Sequence, residues 1–194
     1  MKSLSRPAET GLFVALMVAM VATRFNHVGD WLHLPDASMA VFFLGGLYLR
    51  RHWQFAALLG LAFAVDWAAI ELAGVSDFCV TAAYALLPVA YGVLWYAGRA
   101  FAARLSERVG SLALAWLVGV VAAALSFLVS NGAFYWLGGR YAEPHMAEYL
   151  ARAWQWGPLF VRTTACYVAA GLALHGAIAR VAATRRVDAA GRAA

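Results

Sequence analysis

Long apolar runs, separated by short clusters of charge, organise the chain from end to end. The apolar positions are continuous and do not alternate in pairs, which favours helices over strands. In lipid the backbone must satisfy its own hydrogen bonds, so a spanning segment is a helix or part of a closed barrel. A crossing helix needs about 20 apolar residues, with a range of roughly 17–25. Six spans are predicted, over residues 11–25, 37–49, 55–73, 80–98, 111–137 and 158–179. The second is short and extends back through residues 31–34 if it is to cross.

Composition agrees with that pattern. Of 194 residues, 64% are hydrophobic and 13% charged, against about 45–50% and about 25% in a soluble domain. The chain is therefore expected to be an all-α, polytopic membrane protein. Residues 1–194 form one domain, with residues 180–194 as a basic cytoplasmic tail facing anionic lipid.

The formal net charge of +5 is informative only through its placement. With six spans and both termini on one side, Lys2, Arg6, Arg50, Arg51, Arg99, Arg104, Arg108, Arg180, Arg185, Arg186 and Arg192 share that side. The positive-inside rule makes it the cytoplasm. Five spans would put Arg50 and Arg51 outside. Trp31, Tyr135, Trp136, Trp154 and Trp156 fall at the outer boundary, and Trp53, Trp95 and Tyr96 at the inner one, as interfacial aromatics do. Met20 and Ala22 make a poor cleavage pair, so the first span is not expected to be a removed signal peptide. The basic charge is membrane-directed, and no nucleic-acid partner is expected.

Functional groups gather on the outward side. The first loop brings Arg24, Asn26, His27, Asp30, His33 and Asp36. The second brings Glu71, Ser76, Asp77 and Cys79, and the third Arg140, Glu143, His145, Glu148 and Arg152. Asp66 differs, because it lies within the third span. An intramembrane carboxylate usually faces the bundle interior with a partner, either as a ligand or proton site or as a tyrosine-bonded group that locks packing. Cys79 begins the fourth span, where a helix N-terminus lowers thiol pKa and favours a thiolate. It is a soft ligand for a metal centre, or a small apolar-behaving residue at a helix start.

Tyr84 follows, across Ala82 and Ala83, as a phenol able to donate into a ligand or as part of close helix packing. His27 lies one turn after Arg24, and its alternatives are a ligand contact or a hydrated interfacial histidine. Arg152 either contacts an anionic or amide-rich ligand or forms an i,i+4 pair with Glu148. Cys166, several turns into the last span, is too deep to reach Cys79 in a disulfide and reads as packing. Ala15 and Ala19 place a small-x-x-x-small face on the first span, where another helix can approach. No Gly-x-x-x-x-Gly-Lys loop, Gly-x-Ser-x-Gly or His-Glu-x-x-His motif is present, so ATP-driven transport by this chain alone is not expected.

This combination resembles the substrate-binding S-components of energy-coupling-factor (ECF) vitamin transporters, and within them the BtuM family of cobalamin (vitamin B12) transporters. The resemblance spans the chain in length and span layout. Its specific residues are His27 in "TRFNHVGD", Asp66 in "AFAVDWAA", Cys79 and Tyr84 in "VSDFCVTAAY", and Arg152 in "EYLARAWQW".

The resemblance implies a multi-pass protein of the bacterial cytoplasmic (inner) membrane with an S-component-like bundle. It implies cobalamin as transported ligand in an outward-facing cavity, with the Cys79 thiolate as axial cobalt ligand. His27, Asp66, Tyr84 and Arg152 would orient the vitamin. A shared energy-coupling module would dock through the Ala15/Ala19 face. A thiolate on cobalt would also assist decyanation of cyanocobalamin, giving Cys79 a catalytic role in a protein that is primarily a transporter.

The alternatives are an S-component-like transporter for a flavin or a metal ion, a membrane enzyme with Cys79 as nucleophile and His27 as base, and a scaffold protein. The start Met-Lys-Ser-Leu-Ser lacks the histidines expected for uptake of free cobalt or nickel.

Overall fold

A computed structural model describes residues 5–24 and 34–193, with side chains described as far as residue 185. Among these residues the chain is helical and without strands. Six α-helices follow in order: α1 (Arg6–Arg24), α2 (Ser38–Tyr48), α3 (His52–Ala73), α4 (Leu87–Ala102), α5 (Val109–Leu137) and α6 (Met146–Ala193). Two 3-10 turns, Asp77–Cys79 and Ala82–Leu86, lie between α3 and α4. The segments α1, α3, α5 and Met146–Arg185 of α6 are long and apolar enough to cross a membrane.

Side-chain size sorts the surfaces of α5 in the way lipid demands. Leu114, Leu117, Val121, Leu125 and Leu128 recur every three or four residues and are exposed, while Ala115, Gly119, Ala122, Ala123 and Ser126 are buried. Lipid solvates large apolar groups as well as a protein core does, so the small residues go inward, where backbones can approach.

The short α2 has the opposite character. Ser38 and every residue from Ala40 to Leu47 are buried. A helix apolar on all sides belongs in an interior, and α2 packs against α1, α3, α4, α5 and α6. Its 11 residues rise only about 17 Å at 1.5 Å per residue, against a hydrocarbon core of about 30 Å. The second predicted span is thus a protein-covered axis, and its length need not match the bilayer.

The tightest packing is between α2 and α4. A Cβ added to Gly46 would lie 1.9 Å from the Trp95 carbonyl oxygen, and one added to Gly98 would lie 2.3 Å from the Phe43 carbonyl oxygen. Only glycine permits that approach. Phe42 stacks on Tyr91 at 4.1 Å and meets Phe55 edge-on at 5.6 Å. Trp95, expected at the inner interface, is instead fully buried in this core.

Two prolines mark the differences from the expected starts of α4 and α6, while α6 also runs past the expected end at residue 179, through the basic tail to Ala193. The fourth helix begins at Leu87 and not at residue 80, with Pro88 in its first turn. A helix running through from residue 80 would drive the Pro88 ring into the Tyr84 carbonyl and lose a hydrogen bond. The chain therefore reaches Leu87 through 3-10 turns, and Cys79 ends one of these turns, eight residues before α4. It does not stand at the N-terminus of an α-helix, so the expected dipole argument for its thiolate does not apply.

Pro158 acts differently, lying inside α6, which begins twelve residues earlier at Met146. The α6 start has its own cap: the Glu148 N–H donates to His145 Nδ1 at 3.3 Å. Neighbouring helices make interior proline tolerable in such bundles.

Gly46→Ala is expected to separate α2 from α4 and to cost at least the stability lost in ordinary overpacking, about 1–3 kcal/mol. Thermal unfolding in detergent measures this. Gly60→Ala, where an added Cβ meets nothing within 4 Å, is the control and should not lower the midpoint.

Candidate binding cavity

The carboxylate of Asp66, in the body of α3, is held from two sides. Arg24, the last residue of α1, donates from Nε to Asp66 Oδ1 and from Nη2 to Oδ2, both at 2.6 Å. This is a bidentate fork, the strongest common geometry for such a pair. The Tyr84 hydroxyl donates to Asp66 Oδ2 from the other side. Nη1 of Arg24 is also used: it reaches the Tyr91 hydroxyl at 2.7 Å and Ser38 Oγ at 3.0 Å, with Asp36 Oδ2 at 3.5 Å.

Asp36 completes the network. Its Oδ1 accepts from the Ser38 N–H at 2.9 Å and from the Ser38 hydroxyl at 2.6 Å, which caps the start of α2. Thr23 accepts from the Ala37 N–H at 3.0 Å. Seven side chains thus fasten α1, the entry to α2, α3, the second 3-10 turn and α4 at one level. Arg24 keeps only 10% of its side-chain exposure and Asp66 24%, so each charge depends on the other.

Above this network lies a cavity of about 790 Å³, at the large end of ordinary small-molecule sites, about 300–1,000 Å³. Arg24, Asp36, Asp66, Tyr84 and Tyr91 line it from one side, and Asn131 and Arg152 from α5 and α6. Cys79 lines it too, with its thiol free and exposed. Phe78 and Phe134, 5.7 Å apart, add aromatic wall. Arg140 lies 5.0 Å over the Phe78 ring, placing a cation beside the residue that precedes Cys79.

The cavity therefore brings together Asp66, Cys79, Tyr84 and Arg152. His27 lies outside the described residues. The geometry changes three expected roles. Tyr84 spends its proton on Asp66, so toward a ligand it offers an oxygen acceptor. Arg152 does not pair with Glu148 among the described residues. Its guanidinium lies 4.9 Å over the Tyr141 ring, while Glu148 is held by Tyr135 at 2.9 Å and His145 at 3.8 Å. Cys166, expected as packing, is free and exposed on α6.

Arg24 is the functional residue that sequence reasoning left among the outward loop groups. An intramembrane aspartate requires a partner, and an arginine ending an apolar span offered the signal. Among the described residues, no three of His, Cys, Asp and Glu converge into a site for a metal ion. The chain matches no protein-family model and no curated protein sequence.

Arg24→Met should strand Asp66 and destabilise the protein by about 3–5 kcal/mol, the usual cost of removing one partner of a buried pair. Adding Asp66→Asn to Arg24→Met should recover part of that loss. Thermal unfolding of the two single variants and the double variant measures the coupling.

Proposed function

We propose that the chain is a transporter protein of the bacterial cytoplasmic membrane that binds cobalamin in this cavity. The observation that carries the reading is a free, exposed cysteine thiol on the wall of a large cavity also lined by Asp66, Tyr84 and Arg152. The resemblance of "VSDFCVTAAY" and the other quoted segments to the BtuM family supplies the identity of the ligand. The aromatic and aliphatic walls suit a broad macrocycle, and the polar groups suit its amide-bearing rim.

In this reading the chain crosses the membrane six times with both termini in the cytoplasm. The half-length α2 and the 3-10 lead-in to α4 count as crossings covered by protein. The cavity then faces outward.

Cobalamin brings cobalt already held by four corrin nitrogens, so the protein supplies only axial ligands. A lone thiolate is a soft donor suited to that task. A free metal ion would need several protein ligands, and among the described residues no such set converges. On cyanocobalamin, Cys79 sulfur would form a bond to cobalt as the cobalt–cyanide bond breaks. Cobalt stays in its +3 state, and the thiol proton leaves with cyanide as hydrogen cyanide.

Tyr84 would accept from a ligand N–H, with Asp66 fixing its hydroxyl and Arg24 fixing Asp66. His27 would add a contact from the outward side. Energy coupling would use the α1 face that carries Ala15, which is exposed, and Ala19, which is half-buried. A shared coupling module could approach there.

The test is the visible spectrum of the purified protein with cobalamin. Wild type should retain the vitamin with an altered spectrum, and Cys79→Ala should not alter it. Loss of cobalamin retention by wild type would refute the reading. Cyanide release from cyanocobalamin should fall to the background rate in Cys79→Ser, and an unchanged rate would remove the decyanation role.

A further inference from the structure

The wall of the cavity built by α5 and α6 contains several polar side chains, and most of their capacity is already used. Ser126 donates to the Ala90 carbonyl at 2.8 Å, Ser130 to the Phe127 carbonyl at 3.2 Å, and Thr164 to the Phe160 carbonyl at 2.9 Å. Two atoms stand apart. Asn131 Oδ1 and Arg152 Nε are buried and have no hydrogen-bond partner, and both residues line the cavity.

The helix contacts put these two residues at one level. The Tyr149 hydroxyl on α6 lies 3.4 Å from the Leu128 carbonyl oxygen and close to Gly132. Further along α6, Gly157 meets Phe127. Arg152 falls between these contacts, beside the stretch of α5 that carries Asn131. A buried polar atom without a partner is costly, and a ligand group of the right sense would recover that cost.

The two unpaired groups have opposite sense. Arginine only donates, whereas the free oxygen of Asn131 only accepts. A ligand carboxylate can satisfy the first but not the second, and an amine the second but not the first. A primary carboxamide satisfies both, its oxygen accepting from Arg152 and its N–H donating to Asn131. The geometry points to a carboxamide-reading pair, Asn131 with Arg152, that makes the cavity select an amidated ligand over one carrying carboxylates. The inference rests on the cobalamin reading: it concerns the primary amides on the corrin rim, and makes Asn131 a specificity-determining residue.

The test compares cobalamin with its monocarboxylic derivatives, in each of which one rim amide is replaced by a carboxylate. Titrations are followed by the cobalt spectrum, on wild type, Asn131→Leu and Asn131→Asp. Wild type should prefer cobalamin over at least one derivative by about tenfold, the worth of roughly one hydrogen bond to a charged partner.

Asn131→Leu should lose most of that preference while keeping the Cys79-dependent spectrum. Asn131→Asp keeps an acceptor at the same place and should keep the preference. An intact thiolate spectrum with an unchanged preference in Asn131→Leu overturns the carboxamide pairing alone. Absence of cobalamin binding by wild type removes both this inference and the reading beneath it.

Discussion

A charged fork in an apolar bundle sets the terms for the rest of the molecule. Asp66 sits where an unpaired carboxylate would be costly, and Arg24 meets it with two bonds of 2.6 Å. Because Arg24 closes α1 and Asp66 sits within α3, those helices are fixed at the level of the pair. The same guanidinium reaches Ser38, Tyr91 and Asp36, so the entry to α2 and the start of α4 take their positions from it as well. Tyr84 adds the 3-10 turn. The cavity rests on this arrangement, and on the Arg24–Asp66 side its residues are held by one another, so that wall is preformed.

Helix geometry below the pair serves the same end. The glycines of α2 and α4 let two backbones touch, and the aromatic side chains of Phe42, Tyr91 and Phe55 fill the space around them. With α2 enclosed on every side, the other helices form a shell around it. Their large apolar residues point outward to lipid. A cavity can then open at one end of the bundle without removing the central contact that holds the helices together.

Much of the fold was legible in the sequence where apolar runs were long and ended cleanly. The structure begins α3 and α5 within three residues of the expected positions and ends them at Ala73 and Leu137, as expected. Gly74, at φ +66°, ends α3 in the left-handed conformation that glycine favours.

The starts of α4 and α6 differ from expectation at Pro88 and Pro158, and the end of α6 differs because the helix continues through the basic tail to Ala193. The same residue type begins a helix when placed in its first turn and is absorbed when neighbours cover the gap. Sequence does not distinguish those cases without the surrounding helices. The site shows a similar division. Asp66 announced that it needed a partner, but Arg24 is 42 residues away, and only the fold joins them. Asn131, an amide within the long apolar run "FLVSNGAF", carries the same kind of signal as Asp66. Cys79 stood out by composition, yet its turn setting depends on Pro88, nine residues later.

The shortness of α2 has a consequence for how the protein is made. A helix of 11 residues cannot by itself cover a hydrocarbon thickness of about 30 Å, so its apolar surface must be covered by neighbouring helices. The surface that fits it most closely, on α4, is synthesised about 50 residues later. The close burial of α2 is therefore available only once α4 has been made. For α2, burial and the closure of the tertiary fold are a single event.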